Sequence, residues 1–184
     1  MRRWRWLIAA IVFPALACAA SLEGFFSETL GDLRDDLAQA RAEGKDGLLL
    51  FFEQADCPFC RRMKETVFSR PEVQAWVHRH FLVIPIDIEG DVPITDLEGH
   101  ETTMKAFAFR RFRVRATPVM VFIDRQGRVV ARYTGPTRDA REFLLLGRYV
   151  VEGKYRQMPF ARYKRLMQRR PAPAARPAVP AAAS

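Results

Sequence analysis

Long apolar runs are missing from this 184-residue chain, net charge is missing from its middle, and cysteine is scarce. No apolar run reaches the roughly eighteen residues that a membrane span needs, which excludes a polytopic membrane protein. The formal charge of +9 suggests nucleic acid only until it is divided by region. Three arginines before residue 6 and six basic residues after residue 160 carry the whole excess. Positions 21–160 hold 21 basic and 21 acidic side chains. A neutral body is no phosphate-binding face, so no nucleic-acid partner is expected. What is present, 49% hydrophobic and 28% charged residues, describes a globular chain that can bury a core.

The two ends differ from the body. Residues 1–20 read as a signal peptide, with basic residues to Arg5, an apolar stretch from Trp6 to Ala20, and small residues Cys18-Ala19-Ala20 at its end. The expected mature start is near Ser21, and the expected location is a bacterial periplasm. An uncleaved anchor and lipidation of Cys18 are the rivals. Leu16-Ala17-Cys18 resembles a lipobox, but Ala15 stands where leucine is preferred. Residues 156–184 read as a basic and then Pro/Ala-rich tail, expected to be disordered, with a short basic helix at 160–170 as the alternative.

Between the ends, helix and strand patterns alternate. Leu30, Leu33, Leu37 and Ala40 mark a helical face within an N-terminal segment, 21–46. Leu48 to Phe52 is a continuous apolar run, suited to a strand buried on both faces. Pro71 opens a helix with Val73, Trp76, Val77 and His80 inward. Phe81 to Ile88 is a second strand, and Pro85 requires one side of it to be locally unpaired. Glu89 to His100 reads as an irregular acidic loop, followed by a helix with Met104, Phe107 and Ala108 inward. Val119–Ile123 and Arg128–Tyr133 flank a turn closed by Gly127, and Phe143, Leu146 and Val150 stripe the last helix. The order is that of an α/β layered domain, a central mixed sheet flanked by helices, over 47–155.

Two of the three cysteines form one C-x-x-C, Cys57-Pro58-Phe59-Cys60, and the third lies in the segment expected to be cleaved. A bridge across two residues constrains almost nothing in the unfolded chain, so its value must be chemical. Cys57 falls just after a strand and at the start of a helix. There the unpaired N–H groups and the helix dipole favour a thiolate. Cys60, one turn further in, is placed to resolve a mixed disulfide. Pro58 suits a first helical turn.

Strand, C-x-x-C, helix and then Thr117-Pro118 before a hairpin resemble the thioredoxin fold. Phe51-Phe52-Glu53-Gln54 ahead of the cysteines, the insertion at Glu89 to His100, and Arg148-Tyr149-Val150 resemble more narrowly the SoxW-type periplasmic thioredoxins of bacterial sulfur oxidation. The resemblance implies dithiol–disulfide exchange with protein disulfides, with Cys57 attacking and Cys60 resolving. It implies that Pro118 is cis and faces the pair, and that Pro58, Phe59, Thr117 and Pro118 touch substrate. No cofactor is implied beyond the cysteine pair. A membrane thiol-reducing transporter is the expected electron donor, and a monomer the expected state. Two departures bear on the chemistry. Asp56 replaces the usual tryptophan, and Phe51 replaces the buried aspartate, leaving Glu53 as the nearest strand carboxylate for proton transfer. With no histidine beside the thiols and Asp56 opposing the thiolate, the pair reads as a reductant or mid-range exchanger, at roughly −200 to −270 mV.

The rival from another class is a metal or copper delivery module using the same two thiols. His78 and His80 would complete C-x-x-C…H-x-H, yet residues two apart on a helix do not face each other. Arg61 stands where a c-type haem would need histidine. Glu89, Asp91, Asp96 and Glu98 miss the calcium-loop spacing. Arg110, Arg111, Arg113 and Arg115 precede Thr117-Pro118 and read either as a solvated face or as a guide for an acidic partner.

Overall fold

A computed structural model describes residues 24–169, so the signal-peptide segment, Cys18 and the Pro/Ala-rich end lie outside the described residues. The first helix, α1 (Leu33–Ala42), begins where Asp32 accepts the Arg34 N–H at 2.8 Å, with Asp35 and Asp36 in its first turn. Leu33, Leu37 and Ala40 are buried. Leu30 is not. Gly31 turns the chain at φ 84° ahead of the cap, which leaves Leu30 off the helix and exposed.

Strand β1 (Gly47–Glu53) is buried from Gly47 to Phe52. It pairs in parallel with β2 (Phe81–Asp87) and antiparallel with β5 (Val119–Asp124), and β6 (Val129–Thr134) completes the order β2-β1-β5-β6. A central strand covered on both faces needs no polar alternation. β2 is an edge. The segment before α1 covers part of it, with the Ser27 N–H donating to the Val83 carbonyl and the Val83 N–H to Ser27 Oγ. Pro85 lies two residues on, so its missing N–H falls on that same edge, where no strand would use it.

Two short helices lie between β1 and β2. α2 (Pro58–Met63) runs on into a π-type turn over Lys64–Phe68, and α3 (Pro71–His80) starts on its proline. The expected irregular loop at 89–100 is more ordered than its sequence suggested. β3 (Pro93–Thr95) and β4 (Glu101–Thr103) form a small antiparallel hairpin whose Ile94 is buried, and Thr95 pairs back to Gly31. α4 (Met104–Phe112) is capped by Thr103 and buries Phe107, Ala108 and Phe112. Gly127 makes the β5–β6 turn at φ 81°.

α5 (Ala140–Val151), capped by Asp139, buries Phe143, Leu146 and Val150. The chain does not become a disordered tail at 156. α6 (Phe160–Arg169) packs back on α5, with Tyr163 buried and the Tyr149 hydroxyl donating to the Met158 carbonyl at 2.7 Å. Basic residues hid this helix from a composition argument, because only one narrow face of it is apolar. No helix among the described residues is long and apolar enough to cross a membrane.

Candidate active site

Side chains alternate along β1, so Leu49, Phe51 and Glu53 face the side covered by α2, α3 and α5. β1 ends at Glu53, and three residues later Cys57 takes an extended conformation (φ −108°) as the cap of α2. Its Sγ accepts the Cys60 N–H at 3.0 Å. Cys57 and Cys60 are joined by a disulfide, with their Cα atoms 5.2 Å apart. Both cysteines are buried, whereas Pro58 and Phe59 between them are exposed.

The second wall is the segment before β5. The Thr117–Pro118 peptide is cis, Pro118 is buried, and its carbonyl accepts the Gly135 N–H at 2.8 Å. Thr117 Oγ1 donates to Gln54 Oε1 at 3.1 Å, tying this segment to the loop that leads into Cys57. Gln54 has no signal of its own in the sequence, because its partner is 63 residues away.

Beneath the disulfide the floor is aromatic. Phe51 is fully buried, 5.0 Å from Phe68 and 6.0 Å from Phe26 between ring centroids. Glu53 shares the face of Phe51, and its carboxylate pairs with Lys64 Nζ at 2.5 Å. Lys64 Nζ in turn lies 5.3 Å from the Phe26 ring centroid. The sequence offered Glu53 but not Lys64, which continues α2 and reaches it across the fold. Met63 also receives the Thr137 N–H at its sulfur, 3.2 Å away, and Arg62 donates to the Thr137 carbonyl. These contacts pin the loop before α5 to the cysteine-bearing helix.

The histidines stand apart from the thiols. His78 Nε2 lies 3.1 Å from the Phe25 carbonyl, His80 Nδ1 is 2.6 Å from Asp46, and His100 pairs with Asp96. Among the described residues no group of three or more His, Cys, Asp or Glu is placed to hold a metal ion.

A helix-capping disulfide after β1, with a cis-proline segment before β5 at the same end of a mixed sheet, defines a thioredoxin-like redox protein, of the disulfide oxidoreductase class, whose own cysteine pair is its redox group. The chain belongs to the thioredoxin-like domain family, whose pattern matches residues 33–150. Among solved structures it is similar to a thioredoxin-fold protein from Helicobacter pylori, at 20% identity and TM-score 0.61, covering 82% of this chain and 96% of that one. It is also similar to a putative disulphide-isomerase from Bacteroides thetaiotaomicron, at 27% identity and TM-score 0.54, covering 69% and 92%. A thioredoxin from Thermus thermophilus matches at 29% identity and TM-score 0.50, covering 64% and 82%. No curated protein matches the sequence.

Proposed function

We propose that the protein reduces disulfides of periplasmic proteins by dithiol–disulfide exchange. The observation that carries this reading is the Cys57 sulfur at the helix cap, receiving the Cys60 N–H, beside an exposed Phe59. In the reduced protein the Cys57 thiolate attacks one sulfur of a substrate disulfide. A mixed disulfide forms, and the other substrate sulfur leaves as a thiolate that takes up a proton. Cys60 then loses its proton and attacks Cys57 Sγ, forming the Cys57–Cys60 disulfide and expelling the second substrate thiolate. Two electrons pass to the substrate, and both of its sulfurs finish as thiols.

Pro58, Phe59, Thr117 and Pro118 are the substrate-contacting residues of this reading. Glu53 moves the Cys60 proton, with Lys64 positioning its carboxylate. The protein acts as a monomer and is reduced again by a membrane thiol-reducing transporter, since soluble nicotinamide cofactors are confined to the cytoplasm. The basic-then-apolar pattern of residues 1–20 supports export.

Trapping tests the assignment of roles. With Cys60→Ser, attack still occurs but nothing expels the partner, so mixed disulfides on Cys57 should accumulate in periplasmic extracts. With Cys57→Ser they should vanish. If neither variant traps a protein while the wild type binds copper stoichiometrically, exchange is the wrong chemistry. The potential of the Cys57–Cys60 couple then decides direction: a value near −120 mV, that of a strong oxidant, would reverse it.

A further inference from the structure

The arginines from the end of α4 to Thr117 have no role in the exchange steps, yet Arg111 and Arg113 line a groove and Arg115 follows them toward Thr117. Arg113 ends α4 in the left-handed conformation at φ 52°. After it Val114 turns inward, so Arg113 and Arg115 both stand exposed on the outer side of the segment leading to Thr117. The Arg115 guanidinium lies 5.6 Å from the ring centroid of Phe109, itself exposed. Across from them runs β6, whose one strand neighbour among the described residues is β5. Val129 and Arg132 oppose Ile123 and Val121, which places them on the α4 side of the sheet, and Val129 remains exposed there.

The groove between α4 and β6 measures about 630 Å³ and is lined by Arg111, Arg113, Arg128, Arg132, Phe112 and Val129. No carboxylate lines it. Glu98 and Asp124 hold Arg111 and Arg128, and Arg132 donates to the Phe112 carbonyl, so three of the four guanidinium groups are fixed in place. Arg113 has no carboxylate partner among the described residues.

We propose that this groove receives an acidic stretch of the disulfide-bearing partner protein, laid along the free edge of β6 and leading past Arg113 and Arg115 to Thr117–Pro118. The proposal rests on the exchange reading and names its substrate class. A polypeptide fits better than a nucleic acid for two reasons. The β6 edge offers backbone N–H and C=O groups that another strand can match. The neutral balance of positions 21–160 gives no wider field for a phosphate backbone. Exposed ion pairs add little affinity, so the groove acts chiefly on the rate and orientation of encounter.

Two disulfide peptides of one sequence, flanked by Asp/Glu or by Lys, test this with the purified full chain. Each exchange rate is divided by the rate with bis(2-hydroxyethyl) disulfide, which reads the exchange chemistry alone. The acidic peptide should lead by about tenfold or more at low salt, and the lead should shrink as salt rises. Arg113→Asn with Arg128→Gln should bring the ratio to within about twofold; asparagine tolerates the left-handed backbone at 113. Equal rates for the two peptides, or a ratio untouched in the double variant, would overturn the proposal. Binding of cysteine-free versions, followed by fluorescence anisotropy, reads docking separately. If no disulfide is exchanged but the acidic peptide still binds and the double variant loses it, the groove stands and the exchange reading falls. An oligonucleotide that displaces the acidic peptide at lower concentration would reassign the groove to nucleic acid.

Discussion

One face of the β-sheet is rich in aromatic rings, and the other is mostly aliphatic. Toward α2, α3 and α5 the core holds Phe25, Phe51, Phe68, Phe81, Phe122 and Phe143 together with both cysteines. Toward α1 and α4 it holds Leu33, Leu37, Leu48, Leu50, Ile84, Ile86 and Val121, with Phe52, Phe107 and Phe112 at one end. Rings have few rotamers and large contact areas, so the aromatic side gives α2 a floor that does not yield. Phe68 is the hub of that floor. It stacks on Phe25 at 4.1 Å and meets Phe51 at 5.0 Å and Phe143 at 5.3 Å, each edge-on. The aliphatic side instead supports the elements that carry the arginine groove. The cysteine pair and the arginine groove thus lie on opposite faces of the sheet.

The contrast can be broken most severely at its hub. We predict that Phe68→Ala costs about 3–5 kcal/mol, because a fully buried ring leaves a cavity that three rigid neighbours cannot refill. The urea midpoint should fall with an unchanged slope. A loss below about 1 kcal/mol would mean that the rings repack freely and that the floor is not rigid.

A smaller effect is expected where α3 meets α5. A Cβ at Gly147 would come within 2.3 Å of the Trp76 ring, which is wedged between the two helices, so the ring or the helix must shift. Gly147→Ala should therefore cost about 1–3 kcal/mol as overpacking, despite the higher helix propensity of alanine. Gly24→Ala, where nothing lies within 4 Å, is the control. If both substitutions leave the thermal midpoint alike, the α3–α5 contact is looser than these distances state.

Legibility in the sequence follows the same division between local and distant causes. The strand at Leu48–Phe52, the helix opened by Pro71 and the hairpin around Gly127 each carry their signal within a few residues, and each forms as read. The cysteine pair is legible for the same reason. The β3–β4 hairpin was not, because its strands are only three residues long and depend on Ile94 entering a core built elsewhere. Leu30 fits the helical period but falls on the wrong side of a glycine turn and a cap. The partners of Glu53 and Thr117, Lys64 and Gln54, were invisible because folding alone brings them together. For α6, Phe160, Tyr163 and Met167 recur at helical spacing, but the contacts on α5 that hold the helix in place lie elsewhere in the chain.

That last contact gives the finest test of the aromatic face, through a polar group buried at its margin. Glu142 on α5 is buried, pairs with Lys164 of α6, and accepts the Tyr133 hydroxyl at 3.2 Å and the Arg138 N–H at 3.0 Å. Burial by itself pushes its carboxyl up, but the Lys164 ammonium, with the Arg138 N–H and the Tyr133 hydroxyl, outweighs burial and holds it below the ordinary value. A carboxyl depressed in the folded state stabilises the fold fully above its unfolded value, about 4.3. That contribution is lost as pH falls through the folded value. Asp96, Asp124 and Asp139 are depressed as well, so the acid limb of the wild type alone assigns nothing to Glu142. Lys164→Met isolates it, since methionine keeps the stem that packs against α5 and removes the charge. The variant should lose on the order of 1 kcal/mol at pH 7, the scale of a partly exposed pair. Its deficit against the wild type should narrow as pH falls toward the depressed folded value, below which Glu142 is neutral in both proteins. Parallel stability curves from pH 7 to pH 3 would show that α6 is held by its apolar face alone, and that Glu142 is satisfied without Lys164.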